Sequence, residues 1–269
     1  MKRIIFVRHG ESTENKAYTD NKSYDPNNIK LTDEGKKQAM ITGKYLYKIF
    51  GKFDKVYSSP ATRCKETANM TLRVNLLRSN NIIMEEINHK KKLDIDELLV
   101  EVGYNHNNLD GLSTEEQNKI FDSITINLPK DKSNLKLFNG IKTFRQLEKR
   151  LEETVNPYDR IKIYNTWGDI EQNHLGIKPN STQVGKNYKK FLNNLKKTDD
   201  ETILIVSHGA CIGLLQRMIC NINLNNIDIK IISNKLDTDK LLGNCCILCL
   251  GLEDNKYSLV SPANTNHLK

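Results

Sequence analysis

The sequence contains no long run of apolar residues. The run at its N-terminus, Ile4-Ile5-Phe6-Val7, stops after four residues at Arg8, whereas a membrane span needs roughly 20. A secretory signal also needs a longer apolar stretch, followed by a small-residue cleavage site. We therefore predict a protein that binds no membrane and works in the cytoplasm, with residues 4–7 in a buried strand.

Spaced pairs of cysteines, and cysteines with histidine partners, are missing as well. Structural zinc sites need such patterns, but the six cysteines stand at positions 64, 211, 220, 245, 246 and 249. The last three fall in one segment that is typical of a buried strand. We predict core thiols in a reducing compartment rather than zinc ligands or disulfides, and we expect no metal and no cofactor.

A basic stripe with interleaved aromatic residues, which is typical of nucleic-acid binding, is also absent. The sequence has 41 Lys and Arg against 33 Asp and Glu, a net charge of +8, but its lysines are scattered. We predict no nucleic-acid partner and assign part of the positive charge to an anionic substrate. Histidines 89, 106, 174 and 267 match no motif and are predicted to be exposed loop residues.

What the sequence does have is alternation of strands and helices. Its 269 residues, 38% of them hydrophobic, suffice for one large domain with a real core. Strands are predicted at 2–7, 53–58 and 202–206, with 81–87 as a further candidate and a late hairpin of strands at about 245–250 and 256–260. The pattern predicts an α/β fold: a three-layer α/β/α sandwich, with a mostly parallel sheet and helices on both faces.

Capping signals mark where the predicted helices begin. Thr32 is expected to cap one helix, with two acidic residues in its first turn. Ser59 and Pro60 are expected to form the N-cap and first residue of the next, which runs from about Ala61 towards Leu77. Further helices are predicted at 184–195 and from Ala210 to Ile219.

Residues 102 to 180 differ from the rest of the chain. This segment is polar, with turn signals such as Asp110-Gly111 and Asn139-Gly140 and one predicted helix from Phe144 to Val155. We interpret it as an insertion or lid over the carboxyl edge of the strands, within a single domain of residues 1–269.

Chemistry-bearing residues stand where predicted strands end. His9 follows the first strand and His208 follows the strongest one, and reactive groups collect at the carboxyl ends of strands in such sheets. Arg63 falls in the first turns of a helix, where backbone amides already favour an anion, and its guanidinium matches phosphate oxygens two at a time. The pattern predicts a phosphate pocket.

Four segments in this order resemble the histidine phosphatase superfamily, the phosphoglycerate mutase-like group, branch 1. They are Arg8-His9-Gly10, the run Leu31-Thr32-Asp33-Glu34-Gly35-Lys36-Lys37-Gln38-Ala39, Ser58-Ser59-Pro60 with Arg63 and Thr67-Ala68, and Ser207-His208-Gly209. The likeness covers residues 1 to about 75 and about 180 to 225 well, and the middle poorly.

The resemblance implies catalysis through a phosphohistidine. His9 would attack phosphorus in line, while Arg8, Arg63 and His208 hold the phosphoryl oxygens and spread the developing charge. Asn15 and Gly209 would line the same phosphate pocket. A carboxylic acid would protonate the leaving oxygen and later deprotonate the attacking water.

The acid is assigned to Glu101, two residues after Leu99. The glycines at 103 and 111 stand two and ten residues beyond it, whereas the family places them four and eight beyond. Glu97, Glu85 and Glu86 therefore stay open as alternatives.

The expected reaction is hydrolysis of a small phosphate monoester. Phosphoglycerate mutases carry a pair of adjacent arginines downstream of the acid, and residues 102–180 contain no Arg-Arg pair. A mutase-type phosphotransferase and an inactive phosphate-binding relative stay open as alternatives. The expected partner is a small phosphorylated substrate, and the protein is expected to be a monomer or homodimer.

Overall fold

A six-stranded mixed sheet organises the part of the chain that the computed structural model describes, namely residues 1–77, 93–101, 110–126, 128, 136–154, 159, 163, 166, 176, 179, 181–222 and 243–269. The strands are β1 (Lys2–Arg8), β2 (Lys55–Ser58), β3 (Asp94–Ile95), β4 (Thr202–Ser207), β5 (Ile247–Glu253) and β6 (Lys256–Asn264). Their spatial order is β3-β2-β4-β1-β5-β6. The candidate strand at 81–87 lies outside the described residues.

The four strands β3, β2, β4 and β1 run parallel, whereas β5 and β6 form an antiparallel hairpin beside β1. The hairpin turns at Asp254 and Asn255, both with positive φ, which the two-residue hairpin turn requires. β4 is buried along its whole length because it has neighbours on both sides. The predicted mixed architecture with mostly parallel strands is confirmed, and the late hairpin extends to Asn264 rather than Val260.

Seven helices are described: α1 (Thr13–Thr19), α2 (Asp33–Phe50), α3 (Thr62–Leu77), α4 (Thr114–Ser123), α5 (Phe144–Glu153), α6 (Ser181–Leu195) and α7 (Gly209–Ile222). Thr32 caps α2 as predicted, because its hydroxyl accepts the Gly35 amide. The prediction for α3 is wrong at its start. The helix begins at Thr62, so Ser59 and Pro60 lie in the preceding loop.

Helices cover both faces of the sheet, as predicted. α6 packs on the face that carries Phe6 and Tyr57, through ring contacts made by its own Tyr188 and Phe191. α2 packs against α3, and α3 contacts β2 and β4. Because apolar side chains fill the space between the helices and the sheet, the edge at which the parallel strands end is held in place.

The chain divides into two compact units. The first comprises Met1–Lys16, Asn28–Glu101 and Val184–Lys269 and contains the sheet; the second comprises Ala17–Asn27 and Val102–Gln183. The second has its own apolar cluster, which includes Phe138, Phe144, Leu147 and Ile163. Its helix α5 starts as predicted, with Thr143 and Gln146 forming a capping box. That residues 102–180 form a lid inserted into one domain stays a prediction.

His267 corrects one expectation, because it is not an exposed loop residue. Its Nε2 lies 2.8 Å from Thr42 Oγ1 on α2, and burial lowers its pKa to about 4. The short 3₁₀ helix Asn266–Leu268 brings it there. His89, His106 and His174 lie outside the described residues.

Five cysteines are buried and free of disulfides: Cys64, Cys211, Cys245, Cys246 and Cys249. They bear out the prediction of core thiols for the cysteines whose side chains are described. Within the described ranges, no helix combines the length and apolarity that crossing a membrane requires.

Candidate active site

Four of the predicted side chains meet at the carboxyl edge of the sheet. His9 directly follows β1 and His208 directly follows β4, and these strands are parallel neighbours. Their imidazole rings are therefore adjacent, with centroids 5.5 Å apart. Arg63 reaches the pair from the second residue of α3. Glu101 reaches it from just beyond the 3₁₀ helix Glu97–Leu99, which follows β3.

His9 is only 2% exposed, and its hydrogen bonds define one tautomer. Nδ1 lies 2.9 Å from the carbonyl oxygen of Gly10, which can only accept, so Nδ1 carries the proton and donates it. Nε2 then carries a lone pair, and the Nε–H of Arg63 points at it from 3.2 Å. This is the nitrogen that can act as a nucleophile.

Burial is the largest cause that lowers the pKa of His9 well below its ordinary value of 6.5. The charges of Arg63, His208 and Arg8 lower it further, and Glu101 opposes them without reversing the shift. Because the uncharged imidazole is favoured, the lone pair on Nε2 is present at neutral pH.

Glu101 links the two cationic groups of the site. Its Oε2 accepts from Arg63 Nη2 at 2.5 Å and lies 3.0 Å from His208 Nδ1. Burial alone would raise the pKa of this carboxyl, but His208 and Arg63 outweigh burial and hold the pKa well below 4.5. In this state of the protein Glu101 is a carboxylate.

His208 is fully buried and carries a positive charge. Its Nε2 lies 2.8 Å from Ser59 Oγ and 3.5 Å from Cys64 Sγ, so both ring nitrogens have acceptors. Burial would lower the pKa, but Cys64 and Glu101 overcome this and raise the pKa of His208 to about 9. His208 is therefore an imidazolium at neutral pH, beside a neutral His9.

Arg63 is 8% exposed and is surrounded by acceptors. Besides His9 and Glu101, its Nη2 lies 3.8 Å from Glu14 Oε2. Burial opposes the charged guanidinium, but the coulombic effects of Glu101 and Glu14 raise its pKa above the ordinary value. Arg63 thus presents a permanent charge beside the His9 lone pair.

Arg8 and Gly209 depend on each other sterically. A Cβ at Gly209 would meet Arg8 Nε at 3.1 Å and Cζ at 3.3 Å, so the absence of a side chain leaves room for the guanidinium. Gly209 is also the first residue of α7, where helix amides favour an anion. The charge of Arg8 contributes to lowering the pKa of His9.

Asn15 lies in the first turn of α1 and holds the loop that follows His9. Its Oδ1 accepts the amide of Ser12 at 3.2 Å and the Nδ2 of Asn244 at 2.8 Å. Asn244 Nδ2 also lies 3.3 Å from the carbonyl oxygen of His9. These contacts tie the His9 loop to the residues that precede β5. Phosphate binding by Asn15 stays a prediction.

Two glycines allow the His9 loop to lie close to α2. A Cβ at Gly10 would meet the Gly35 carbonyl oxygen at 2.4 Å, and a Cβ at Gly35 would meet the Glu11 carbonyl oxygen at 2.0 Å. The first two motifs of the sequence are therefore in backbone contact. The motif around Gly35 supports the nucleophile loop rather than contributing a reactive side chain.

Sequence reasoning missed several contacts of the predicted residues. Ser59, expected to cap α3, accepts the Ala61 amide at 3.3 Å just before the helix, and its Oγ also lies 2.8 Å from His208 Nε2. Thr67 Oγ1 accepts the Gly10 amide at 3.0 Å and donates to the Arg63 carbonyl oxygen at 2.7 Å, which ties α3 to the nucleophile loop. The spacing of Arg63 and Thr67, four residues apart on a helix, was an available signal.

The open alternatives for the acid have different outcomes. Glu97 is exposed in the 3₁₀ helix, whereas Glu101 touches both cations. Glu85 and Glu86 lie outside the described residues. Of the two candidates that the structure describes, the geometry associates Glu101 with His9, and Glu85 and Glu86 stay open.

His9, Glu101 and His208 offer ligand atoms within 4.8 Å of one another, a spacing that could suit a metal ion. The donor set fits a cation poorly because Arg63 contacts His9 and Glu101, and His208 is itself protonated. The site holds three positive charges, on Arg8, Arg63 and His208, and two negative charges, on Glu101 and Glu14. Such a surplus favours an anion.

Comparison with known proteins agrees with this geometry. A sequence profile of the histidine phosphatase superfamily (branch 1) matches residues 4–162. Over 72 residues the chain is 40% identical to the serine/threonine-protein phosphatase Pgam5, mitochondrial, of Drosophila yakuba and 38% identical to a 2,3-bisphosphoglycerate-dependent phosphoglycerate mutase of Streptococcus mutans. Each match covers 27% of this chain, and 22% and 30% of those proteins respectively. The chain therefore spans less than a third of the length of these curated relatives.

Solved structures share the fold at lower identity. A mutant phosphoserine phosphatase from Entamoeba histolytica, in complex with phosphoserine, superposes over all of both chains with a TM-score of 0.53 and 21% identity. A phosphoglycerate mutase from Bacillus anthracis gives a TM-score of 0.61 and 17% identity over 99% of this chain and 95% of that one. Because the family profile covers more than half of its length, the chain belongs to the histidine phosphatase superfamily, branch 1.

Proposed function

We propose that this protein is a phosphatase that hydrolyses a small phosphate monoester through a phosphohistidine on His9. One observation carries the proposal: the neutral Nε2 of His9 lies beside the Arg63 guanidinium and next to the His208 imidazolium. A nucleophile with an unprotonated lone pair, held among cations, is what phosphoryl transfer requires, because positioning and charge stabilisation do most of the work.

In the first step, His9 Nε2 forms a bond to phosphorus while the bond from phosphorus to the ester oxygen breaks. Arg63 turns its N–H donors from His9 and Glu101 to the phosphoryl oxygens, and Arg8 and His208 neutralise the remaining charge. The amides at Gly209, the start of α7, add dipoles that favour the anion.

Glu101 supplies the proton that the leaving oxygen needs. It is a carboxylate while it faces two cations, but an arriving phosphate adds negative charge and competes for Arg63. Both changes raise the pKa of the carboxyl, because a nearby like charge favours its neutral form. Glu101 takes up the proton that the monoanionic form of the ester brings with it, and then passes this proton to the leaving alkoxide.

In the second step, water attacks phosphorus on the opposite side from Nε2. Glu101, now a carboxylate again, accepts the proton of that water, the bond from His9 to phosphorus breaks, and inorganic phosphate is released. One carboxyl acts first as acid and then as base, and its proton leaves with the released phosphate, which restores the resting carboxylate.

Hydrolysis is preferred to a mutase reaction on sequence grounds. A mutase must bind a carboxylate next to the phosphate, and residues 102–180 carry no adjacent arginines for that purpose. The curated relatives include both a phosphatase and a mutase, so relatives alone support either reaction.

We assign the substrate to small phosphorylated metabolites, since the neighbouring structures hold phosphoserine and 3-phosphoglyceric acid. Buried free thiols are compatible with a cytoplasmic location.

A panel of phosphate esters tests the proposal. Purified protein is incubated with phosphoserine, phosphotyrosine, sugar phosphates, nucleotides and 3-phosphoglycerate, and phosphate release is followed beside the interconversion of phosphoglycerates. We expect release from at least one ester by the wild type and none by His9→Ala. Phosphoglycerate interconversion faster than release would replace the phosphatase with a mutase. Phosphate binding without any turnover would make the protein an inactive relative.

A further inference from the structure

The backbone that carries Glu101 is held at two successive carbonyl groups. The Tyr188 hydroxyl lies 3.3 Å from the carbonyl oxygen of Leu99, and Cys211 Sγ lies 3.5 Å from that of Val100. Upstream, Asp96 accepts the amides of Leu98 and Leu99 through its side chain and its carbonyl group. Glu101 is thus the next residue after a segment fixed from three sides.

Tyr188 joins this segment to the residue before His208. Its hydroxyl also makes a short hydrogen bond with Ser207 Oγ. The Leu99 carbonyl oxygen can only accept, so Tyr188 donates to it, and the Ser207 hydroxyl must therefore donate to the Tyr188 oxygen. A single phenol connects the neighbour of His208 with a residue two positions before Glu101.

The surroundings of Tyr188 fix its position. The residue is 1% exposed and projects from α6, with its ring 6.4 Å from that of Phe6 on β1. Burial raises the pKa of Tyr188 well above its ordinary value, so the hydroxyl stays a donor across the working pH range. A rotation of the phenol would leave the Leu99 carbonyl group without its donor in a buried site, which is costly.

We propose that Tyr188 is a positioning residue that sets the distance between the Glu101 carboxylate and the His208 imidazolium. It touches neither the nucleophile nor the phosphoryl group. Its bonds to Ser207 and Leu99 hold the two backbones from which the 3.0 Å contact between Glu101 Oε2 and His208 Nδ1 is made. The expected effect of Tyr188 on turnover rests on the proposed function, whereas its expected effect on the pKa of His208 does not.

Tyr188→Phe tests the inference, with Tyr257→Phe as its matched control. Tyr257, which is half-buried on β6, also donates its phenol proton to a backbone carbonyl on α6, at 2.7 Å from Leu192 O. Each variant keeps the ring and loses one phenol-to-carbonyl hydrogen bond, and Tyr188→Phe also loses the bond with Ser207 Oγ. A difference between the variants therefore reports the link from Ser207 to Leu99 that Tyr188 makes, rather than the loss of a phenol-to-carbonyl bond as such.

Two readouts apply to both variants. The first is the pKa of His208, followed by NMR of labelled histidine in the free protein. We expect the wild-type value of about 9 to fall by about one unit in Tyr188→Phe, because a displaced Glu101 stabilises the imidazolium less, and to stay unchanged in Tyr257→Phe. The second is kcat for phosphate release, which should fall about 10- to 100-fold in Tyr188→Phe with KM little changed.

The inference is overturned if Tyr188→Phe and Tyr257→Phe show the same His208 pKa. Should Tyr188→Phe fold poorly, Ser207→Ala replaces it. That variant removes the Ser207 donor while the bond from Tyr188 to Leu99 is kept, and an unchanged His208 pKa there would equally overturn the inference. A wild type that never forms phosphohistidine would sink the proposed function alone, since the titration of His208 needs no turnover.

Discussion

Replacing Arg63 by lysine separates the charge of this residue from its geometry. The guanidinium approaches His9 Nε2 through Nε at 3.2 Å and Glu101 Oε2 through Nη2 at 2.5 Å. An ammonium keeps the charge but cannot direct two donors in one plane. One charge-assisted hydrogen bond to the phosphoryl group should be lost in the transition state, which costs about 1.5–3 kcal/mol. That cost corresponds to a loss of about 10- to 160-fold in kcat/KM.

The assay compares Arg63→Lys with Arg73→Lys. Arg73 is an exposed residue of the same helix, so its replacement controls for general effects on α3. Phosphate release is measured for both variants on the best ester of the panel, together with the rate at which phosphoenzyme forms in a single turnover. Arg63→Lys should be slow in both measurements. If it matches Arg73→Lys, the fork of Arg63 has no part in phosphoryl transfer and the account of the first step is wrong.

Three further predictions concern the acid, the pH dependence and the nucleophile loop. Glu101→Gln removes the proton acceptor for water. Phosphoenzyme formed from p-nitrophenyl phosphate, whose leaving group needs no acid, should therefore persist about 10²–10⁴-fold longer. Unchanged decay of the phosphoenzyme in a quench experiment would contradict this. Because the pKa of His208 is raised to about 9, its charge is present at neutral pH and lost as the pH rises through about 9. Between about pH 8 and about pH 10, where inorganic phosphate is already a dianion, its affinity measured by calorimetry should fall as the pH passes about 9. Affinity that is flat through this range would refute the assignment. Gly35→Ala places a Cβ 2.0 Å from the Glu11 carbonyl oxygen and should destabilise the fold by about 1–3 kcal/mol in denaturant unfolding; an unchanged midpoint would contradict the close packing.

That His9 and His208 lie close together could be predicted, because a buried strand is recognisable from a short run of sequence. An apolar run identifies each strand, and parallel strands of an α/β sheet end at one edge. The residues that follow β1 and β4 are therefore expected at one edge, and the pairing of the two strands makes them neighbours. Arg63 could be added because a helix beginning after β2 must start at the same edge.

The contacts of Ser59 and Tyr188 could not be predicted from local patterns. Ser59 beside Pro60 has the composition of a helix cap, but α3 begins only at Thr62. The hydroxyl accepts the Ala61 amide locally, and tertiary packing also places it against His208. In the sequence, Tyr188 occupies one position on the apolar face of a predicted amphipathic helix. Its partners lie 19 and 89 residues away in sequence, so only the register of the folded sheet brings them together.

His267 shows the same limit in a different place. A polar residue near the end of the chain has the composition of an exposed loop, but a short 3₁₀ helix docks it on α2, where it contacts Thr42 and stacks near Tyr45. The docking depends on where β6 ends, which no local pattern defined. The predicted strand at 81–87, and with it Glu85 and Glu86, falls on residues that are not described.

The most direct test of the central claim is to locate the phosphoryl group on the protein. Wild-type protein is mixed with its best ester, quenched in alkali, where phosphohistidine is stable, and examined by phosphorus NMR and by mass spectrometry of its peptides. The account predicts one acid-labile phosphoryl group, on Nε2 of His9, because Nδ1 donates its proton to Gly10. A label on Nδ1, on another residue, or the absence of any label during phosphate release would contradict it.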